Sequence, residues 1–212
     1  CFFFYRGRFA DHLDRHKTLD NYFRAKENLW KHQKSGDFLI FCETVGALFK
    51  PKEPEERGVR FFIGKKVNKN FFLRNSVFRA EHFRENLGAI FILSKILNVE
   101  EEFFIQTTET FKGLPHRIEF FEEKHQIRFY DDSIAVNPDS SLAAINFFKS
   151  TLGMVILGGK SGGGSFELVV ESLKTLQDAK VIVVDSEAGL EVLEELKRQE
   201  FPKNRYFFVK SL

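Results

Sequence analysis

The runs Met154-Val-Ile-Leu157, Val181-Ile-Val-Val184 and Tyr206-Phe-Phe-Val209 decide the fold of the second half of the chain. Two amphipathic stretches, at about residues 166–177 and 187–199, separate these short apolar runs. Strands spaced by helices of about 10–15 residues form right-handed βαβ crossovers, and such crossovers build a parallel sheet. The sequence therefore predicts an α/β fold for this half.

The first half also alternates apolar runs with helical spacing. Further strands are predicted at Cys1–Tyr5, Phe38–Cys42, Val59–Ile63, Phe71–Leu73, Arg117–Glu122 and Ile127–Tyr130. Helices are predicted from Leu19 to Trp30 with Thr18 as N-cap, from Arg84 to Leu97, and onward from an N-cap at Asn98.

Gly113-Leu-Pro115 is the strongest break in this pattern. We therefore expect two domains, at residues 1–112 and 113–212. Because the chain opens on Cys1 and an apolar run, we expect this start to be an internal one.

Composition excludes several classes of protein. The 212 residues carry 32 Lys+Arg and 30 Asp+Glu, so the formal net charge is +2. This balance excludes a strongly basic nucleic-acid binder, and a hydrophobic share of 43% excludes a disordered tail. No apolar run approaches the ~20 residues of a membrane span, and two cysteines make no disulfide framework. We expect a cytoplasmic protein without a membrane or nucleic-acid partner.

Two loops at the predicted strand ends are candidate ligand sites: residues 131–140 and 158–165. The second reads Gly158-Gly-Lys-Ser-Gly-Gly-Gly-Ser165, which is typical either of a phosphate cradle or of a flexible turn from strand to helix. It matches neither the P-loop pattern nor the G-x-G-x-x-G pattern. Both interpretations stay open.

Three further sites carry an ordinary and a functional interpretation. His12 and His16, with Asp11 and Asp14, form either a metal site suited to Mg²⁺ or a polar loop before a helix. A metal-dependent hydrolase built on these two histidines is a remote alternative.

Lys26 either extends its stem along aromatic side chains or, if buried, has a neutral amine that reacts with carbon dioxide. Arg117, beside His116, either grips a phosphate or ribose or pairs with an acid.

Five segments, taken in order, resemble the Mur ligases, the ATP-dependent enzymes that add amino acids to the peptidoglycan precursor. The segments are Asp11-His-Leu-Asp-Arg-His16, Phe23-Arg-Ala-Lys26, Glu81-His-Phe-Arg-Glu-Asn-Leu87, Phe111-Lys-Gly-Leu-Pro-His-Arg-Ile-Glu119 and Asp131-Asp-Ser-Ile-Ala-Val-Asn-Pro-Asp139. Leu157-Gly-Gly-Lys160 follows. The Gly-Leu-Pro-His-Arg run is most similar to the D-glutamate-adding branch, and the resemblance covers about residues 7–200.

The resemblance implies part of a central ATPase domain followed by a Rossmann-like, parallel-sheet C-terminal domain. The P-loop and the UDP-binding domain would precede Cys1, so this chain would be inactive alone. The implied substrates are ATP, a UDP-linked muramoyl precursor and D-glutamate, joined through an acyl phosphate.

The resemblance also implies the roles of individual residues. His12 would bind a second Mg²⁺, supported by a carbamylated Lys26. Asn86 would contact adenine, while Arg117 and Asp132 would hold the nucleotide and His116 would lie near a closing hinge as a catalytic residue.

Four positions depart from the family pattern. Phe83, Ile134, Val136 and Gly162 stand where the resemblance implies an asparagine, a lysine, a threonine and a second lysine. The lysines and the threonine belong to the amino-acid end of the site, and the loss of a charge donor there weakens stabilisation of the transition state. An alternative is therefore a non-catalytic nucleotide-binding pseudoenzyme of the same fold.

Overall fold

The computed structural model describes residues 2–5, 13–42, 59–63 and 81–211. The chain divides into two compact units between Lys112 and Gly113. The strand predicted at Phe71–Leu73 lies outside the described residues.

The first unit combines a parallel sheet with helices. Its elements are β1 (Phe2–Tyr5), α1 (Leu13–His16), α2 (Leu19–Lys31), β2 (Phe38–Cys42), β3 (Val59–Ile63), α3 (Glu81–Ile96) and α4 (Glu101–Thr110). Within the described part, β2 lies between β1 and β3 and is parallel to both. Ile40 of β2 and Ala89 of α3 are buried together, with Ile92 and Leu93 packed against them. The apolar face of α3 therefore covers the central strand.

Two helix ends in this unit show how local chemistry sets boundaries. The predicted N-cap at Thr18 is confirmed, because its Oγ1 accepts the Asn21 amide at 3.2 Å. The predicted N-cap at Asn98 is wrong. Asn98 has φ of 54° and ends α3, with its amide on the Lys95 carbonyl and the Val99 amide on the Ser94 carbonyl. Asparagine tolerates this left-handed position at a helix C-terminus, so α4 starts only at Glu101.

The second unit holds a hairpin and a separate parallel sheet. Its elements are β4 (Glu119–Lys124), β5 (Ile127–Asp131), α5 (Pro138–Phe147), β6 (Met154–Leu157), α6 (Glu167–Lys174), β7 (Lys180–Val184), α7 (Glu187–Arg198), a 3₁₀ turn (Lys203–Arg205) and β8 (Tyr206–Val209). The sheet has the order β6-β7-β8, and all its pairings are parallel, which confirms the predicted α/β fold.

The core of the second unit lies between its parallel sheet and its helices. Val181 and Val183 of β7 point to one face and are fully buried against Leu173 of α6 and Leu196 of α7. On the opposite face Met154 and Phe207 remain about half exposed. The buried face supplies the apolar burial that stabilises this unit.

Two elements of this unit differ from the sequence predictions. Strand β5 pairs antiparallel with β4 and stays outside the parallel sheet, so residues 131–140 do not follow a strand of that sheet. Helix α5 was not predicted. Its signal is present in Asn137, whose Oδ1 accepts the Ser140 amide as N-cap, followed by Pro138 at the first helical position.

No helix among the described residues combines the length and the apolar character needed to cross a membrane.

The buried side of α6 makes a direct test of where the core lies. Leu173→Ala leaves a cavity at a fully buried site, and we expect the free energy of unfolding to fall by about 2–5 kcal/mol. Leu168→Ala, at a 56% exposed position of the same helix, is the control and should cost less than about 1 kcal/mol. Urea denaturation followed by circular dichroism measures both, and equal losses would contradict this assignment of the core.

Candidate functional site

Residues 116–118, which we call the Arg117 turn, have an unusual backbone. His116 has φ of 61° and Ile118 has φ of 48°, so both residues beside Arg117 are left-handed. Non-glycine residues rarely adopt this region, and a β-branched residue there is an outlier that costs about 1–3 kcal/mol. Strand β4 therefore starts at Glu119, two residues later than predicted.

Three carboxylates bind the Arg117 turn. The His116 amide donates to Glu119 Oε2 at 2.7 Å, and its ring Nδ1 lies 2.7 Å from Asp131 Oδ2. The Ile118 amide donates to Asp132 Oδ1 at 3.0 Å. Asp131 and Asp132 end β5 and open the next loop, so the hairpin brings both carboxylates to the turn.

The charges of these groups respond to one another. The bond to His116, followed by the Ser133 amide, lowers the pKa of Asp131 from 3.8 to about 2. The same bond to Asp131 raises the pKa of His116 above 6.5. Burial raises the pKa of Asp132 above 3.8, although the Ile118 amide and the charge of Arg117 oppose that change.

Arg117 and Asp132 bring a cation and a carboxylate near one another. Both side chains are half-buried, and the Ile118 amide connects them through the backbone. A guanidinium can bind phosphate oxygens, and a carboxylate can accept hydrogen bonds from hydroxyl groups. This donor set suits a ligand that carries both phosphates and a sugar.

His116, Glu119 and Asp131 are also close enough to share a cation, since their ligand atoms lie within 4.8 Å of one another. However, Glu119 and Asp131 already accept hydrogen bonds from His116, and Asp131 accepts another from Ser133. The arrangement observed is a hydrogen-bonded clasp around His116.

Two amides of the glycine-rich loop form hydrogen bonds to residues at the start of α7. The Gly159 amide donates to Ser186 Oγ at 2.9 Å, and the Ser161 amide donates to the Glu187 carboxylate at 3.2 Å. Ser161 Oγ also donates to Glu191 at 2.7 Å. The Gly159 and Ser161 amides are therefore engaged by the N-cap and first turn of α7, and the α7 carboxylates make this place unfavourable for an anion. This geometry favours the turn over the phosphate cradle.

The two candidate loops touch at Gly162. A Cβ built on Gly162 would lie 2.3 Å from the carbonyl oxygen of Val136, which is shorter than any real contact. Beside it, the side chains of Ile134 and Val136 are 44% and 58% exposed. The amino-acid end implied by the family resemblance therefore presents apolar side chains and a backbone without room for a lysine at position 162.

Lys26 and Asn86 lie on helices of the first unit. Lys26 is half-buried on α2, with Nζ 5.3 Å from the centre of the buried Tyr22 ring, and His16 meets the same ring edge-on at 5.3 Å. Asn86 is half-buried on α3, while Phe83 is buried. His12 lies outside the described residues. The structure thus brings together His116, Arg117 and Asp132 in the second unit, while Lys26 and Asn86 stay in the first.

Sequence reasoning missed Asp131 and Glu119. Both are acidic residues near the Gly-Leu-Pro-His-Arg run, but the residues that they contact depend on the pairing of β4 with β5. An acid three residues after His116 is a weak signal of a turn, and nothing in the sequence pairs Asp131 with His116 across 15 positions.

The His116–Asp131 pair should make stability depend on pH. Because the folded pKa of Asp131 is lowered, its contribution is lost as the pH falls from 3.8 to about 2. Because the pKa of His116 is raised in the folded state, the stabilisation that His116 contributes is lost as the pH rises from 6.5 through the raised pKa. Urea midpoints of wild type and His116→Ala should therefore differ most between pH 4 and 6.5 and converge on either side.

The control Glu123→Gln breaks a pair with Arg128, and its difference from wild type should not decline near neutral pH. A His116→Ala difference unchanged from pH 5 to 9 would contradict the pairing.

The close approach at Gly162 gives a second prediction. Gly162→Ala must displace the Val136 backbone, and we expect a loss of about 1–3 kcal/mol in the free energy of unfolding. Gly153→Ala is the matched control, since a Cβ there meets nothing within 4 Å. Urea denaturation measures both variants, and a neutral Gly162→Ala would show that the loops separate in solution.

Comparison with known proteins places these features in context. No protein-family model matches the chain. A UDP-N-acetylmuramoylalanine–D-glutamate ligase from Caldanaerobacter subterraneus subsp. tengcongensis is 30% identical over 95% of this chain and 48% of its own length. The ligase of the same name from Desulfatibacillum aliphaticivorans is 28% identical over 85% of this chain and 44% of its own. The chain spans about half the length of the curated relatives it matches.

Solved structures agree on the fold. MurF from Acinetobacter baumannii superposes with a TM-score of 0.59 at 18% identity, covering 93% of this chain and 53% of its own. UDP-N-acetylmuramate-alanine ligase MurC from Thermotoga maritima gives 0.61 at 19% identity, covering 94% and 49%. In sequence and in fold this chain is a relative of the Mur ligases, and the resemblance inferred from its motifs is confirmed.

Proposed function

We propose that this chain is part of an ATP-dependent ligase that adds D-glutamate to UDP-N-acetylmuramoyl-L-alanine in cytoplasmic peptidoglycan synthesis. The observation that carries the proposal is the 30% identity, along 95% of the chain, to a ligase named for that addition. The chain spans 48% of that relative, which supports the proposal that the complete activity needs a longer protein and that this chain alone is inactive.

The second unit contributes nucleotide binding in this proposal. Arg117 offers a planar cation to phosphate oxygens, and the nearby Asp132 carboxylate can accept a hydrogen bond from a ribose hydroxyl. The hydrogen bond to Asp131 holds the His116 ring beside the turn. Phosphoryl transfer depends mainly on positioning and on offsetting charge, and a guanidinium carried on a held turn serves both needs.

By the resemblance, Lys26 and His12 would hold magnesium, and Asn86 would meet adenine. Lys26 as an ammonium is not a metal ligand, and its Nζ lies over the Tyr22 ring. Reaction of the neutral amine with carbon dioxide would form an N–C bond, release a proton and leave a carboxylate, which is a suitable Mg²⁺ ligand. His12 would be the second protein ligand. Magnesium would supply charge stabilisation at the phosphoryl oxygens.

The alternative is a nucleotide-binding pseudoenzyme, and one observation favours it. Ile134 and Val136 are exposed aliphatic side chains, and Gly162 has no room for a side chain. If the amino-acid end needs the cations implied by the resemblance, D-glutamate binding is lost while Arg117 and Asp132 still bind nucleotide.

Phosphate release separates the two functions. The protein expressed from its complete reading frame is given ATP, Mg²⁺ and UDP-N-acetylmuramoyl-L-alanine, with and without D-glutamate. The ligase predicts phosphate release that depends on D-glutamate, and Lys26→Ala should lower it about a hundredfold. Arg24→Ala, an exposed position on the same helix, is the control and should keep wild-type activity.

A protein that binds ATP but releases no additional phosphate when D-glutamate is added would support the pseudoenzyme and contradict the ligase. A fully active Lys26→Ala protein would contradict the metal role of Lys26 alone.

A further inference from the structure

The Arg117 turn is strained on both sides of the residue that it presents. His116 and Ile118 are both left-handed, at φ of 61° and 48°, and Ile118 is β-branched. Such residues persist only where the surrounding structure fixes them, and they cluster at ligand-binding sites. The strain therefore needs a specific source of compensation.

Three hydrogen bonds from the turn to loop and strand residues supply it. Asp131 binds the His116 ring, Asp132 binds the Ile118 amide, and the Ile134 amide donates to the His116 carbonyl at 3.3 Å. Glu119 closes the turn from its other side by accepting the His116 amide. The backbone groups in these bonds belong to His116 and Ile118, which flank Arg117, and to Ile134 in the loop after β5.

We propose that Asp131 and Glu119 are positioning residues, which hold the strained Arg117 turn so that Arg117 is presented to a phosphate-bearing ligand. Neither carboxylate is the group that touches the ligand; both act through His116. The proposal rests on the proposed nucleotide-binding role of Arg117.

Another ion pair on the same hairpin shows what is distinctive here. Glu123 and Arg128 also pair, at 3.1 Å, but their bond joins two exposed side chains across the strands and reaches no backbone amide. An exposed pair of this kind contributes little. Asp131 differs because it accepts the Ser133 amide and the His116 ring at once, and so connects the loop to the turn.

Nuclear magnetic resonance on the full chain tests the turn without reference to function. Asp131→Ala should shift the amide signals of Arg117 and Ile118 and return the pKa of His116 toward 6.5. Glu119→Ala should shift the same amides. The control Glu123→Gln should leave them unchanged.

Calorimetric titration of the full chain with ATP and Mg²⁺ tests the presentation of Arg117. Asp131→Ala should weaken ATP affinity about tenfold, as expected for the loss of a charged hydrogen bond. Asp131→Asn should restore only part of it, because the Ser133 amide and the His116 ring bind different oxygens of Asp131 and asparagine keeps one of the two. In an Arg117→Ala background, Asp131→Ala should have no further effect, since the two act as one unit.

The outcomes are distinct. If wild type binds ATP but Asp131→Ala binds equally well, or if its effect persists in the Arg117→Ala background, the positioning role is overturned and the proposed function stands. If wild type binds no ATP, the nucleotide-binding part of the proposed function fails, and the positioning role fails with it.

Discussion

The hydrogen bonds that Asp131 and Asp132 accept from the Arg117 turn are the constraint on which the candidate site of the second unit depends. Two consecutive carboxylates at the end of one strand bind the ring of His116 and the amide of Ile118. These bonds offset a backbone conformation that would otherwise be unfavourable on either side of Arg117. A backbone fixed in this way loses little further conformational freedom when the Arg117 side chain binds an anion, which favours affinity.

The glycine-rich loop shows that composition alone does not make an anion site. Its glycines do permit close backbone approach, but the partners approached are Ser186 and Glu187 at the start of α7 and the carbonyl of Val136. Ser186 caps α7 and also accepts the Gly159 amide, so one hydroxyl couples the loop to the helix. The glycine-rich loop therefore connects the start of α7 to the loop that contains Val136.

In the first unit, the candidate metal ligand Lys26 lies against an aromatic side chain. Tyr22 is buried and receives the edge of the His16 ring and the ammonium of Lys26. Attraction between a cation and an aromatic face contributes about 0.5–1 kcal/mol or more. Carbamylation would therefore have to replace this contact by a stronger one to a metal ion.

The sequence by itself determined the parallel sheet of the second unit, the Thr18 cap and the kinship to the Mur ligases, because apolar periodicity, short-range capping and ordered motifs are local signals. It did not reveal that Asn98 ends a helix instead of starting one, since a side chain that can cap also tolerates the left-handed conformation. Only the tertiary structure decided that Asp131 meets His116, that the Ser161 amide of the glycine-rich loop binds Glu187, and that Gly162 has no room for a side chain. Each of these contacts joins residues at least 15 positions apart, and the pairing of strands and the packing of loops determine them, which no local pattern encodes.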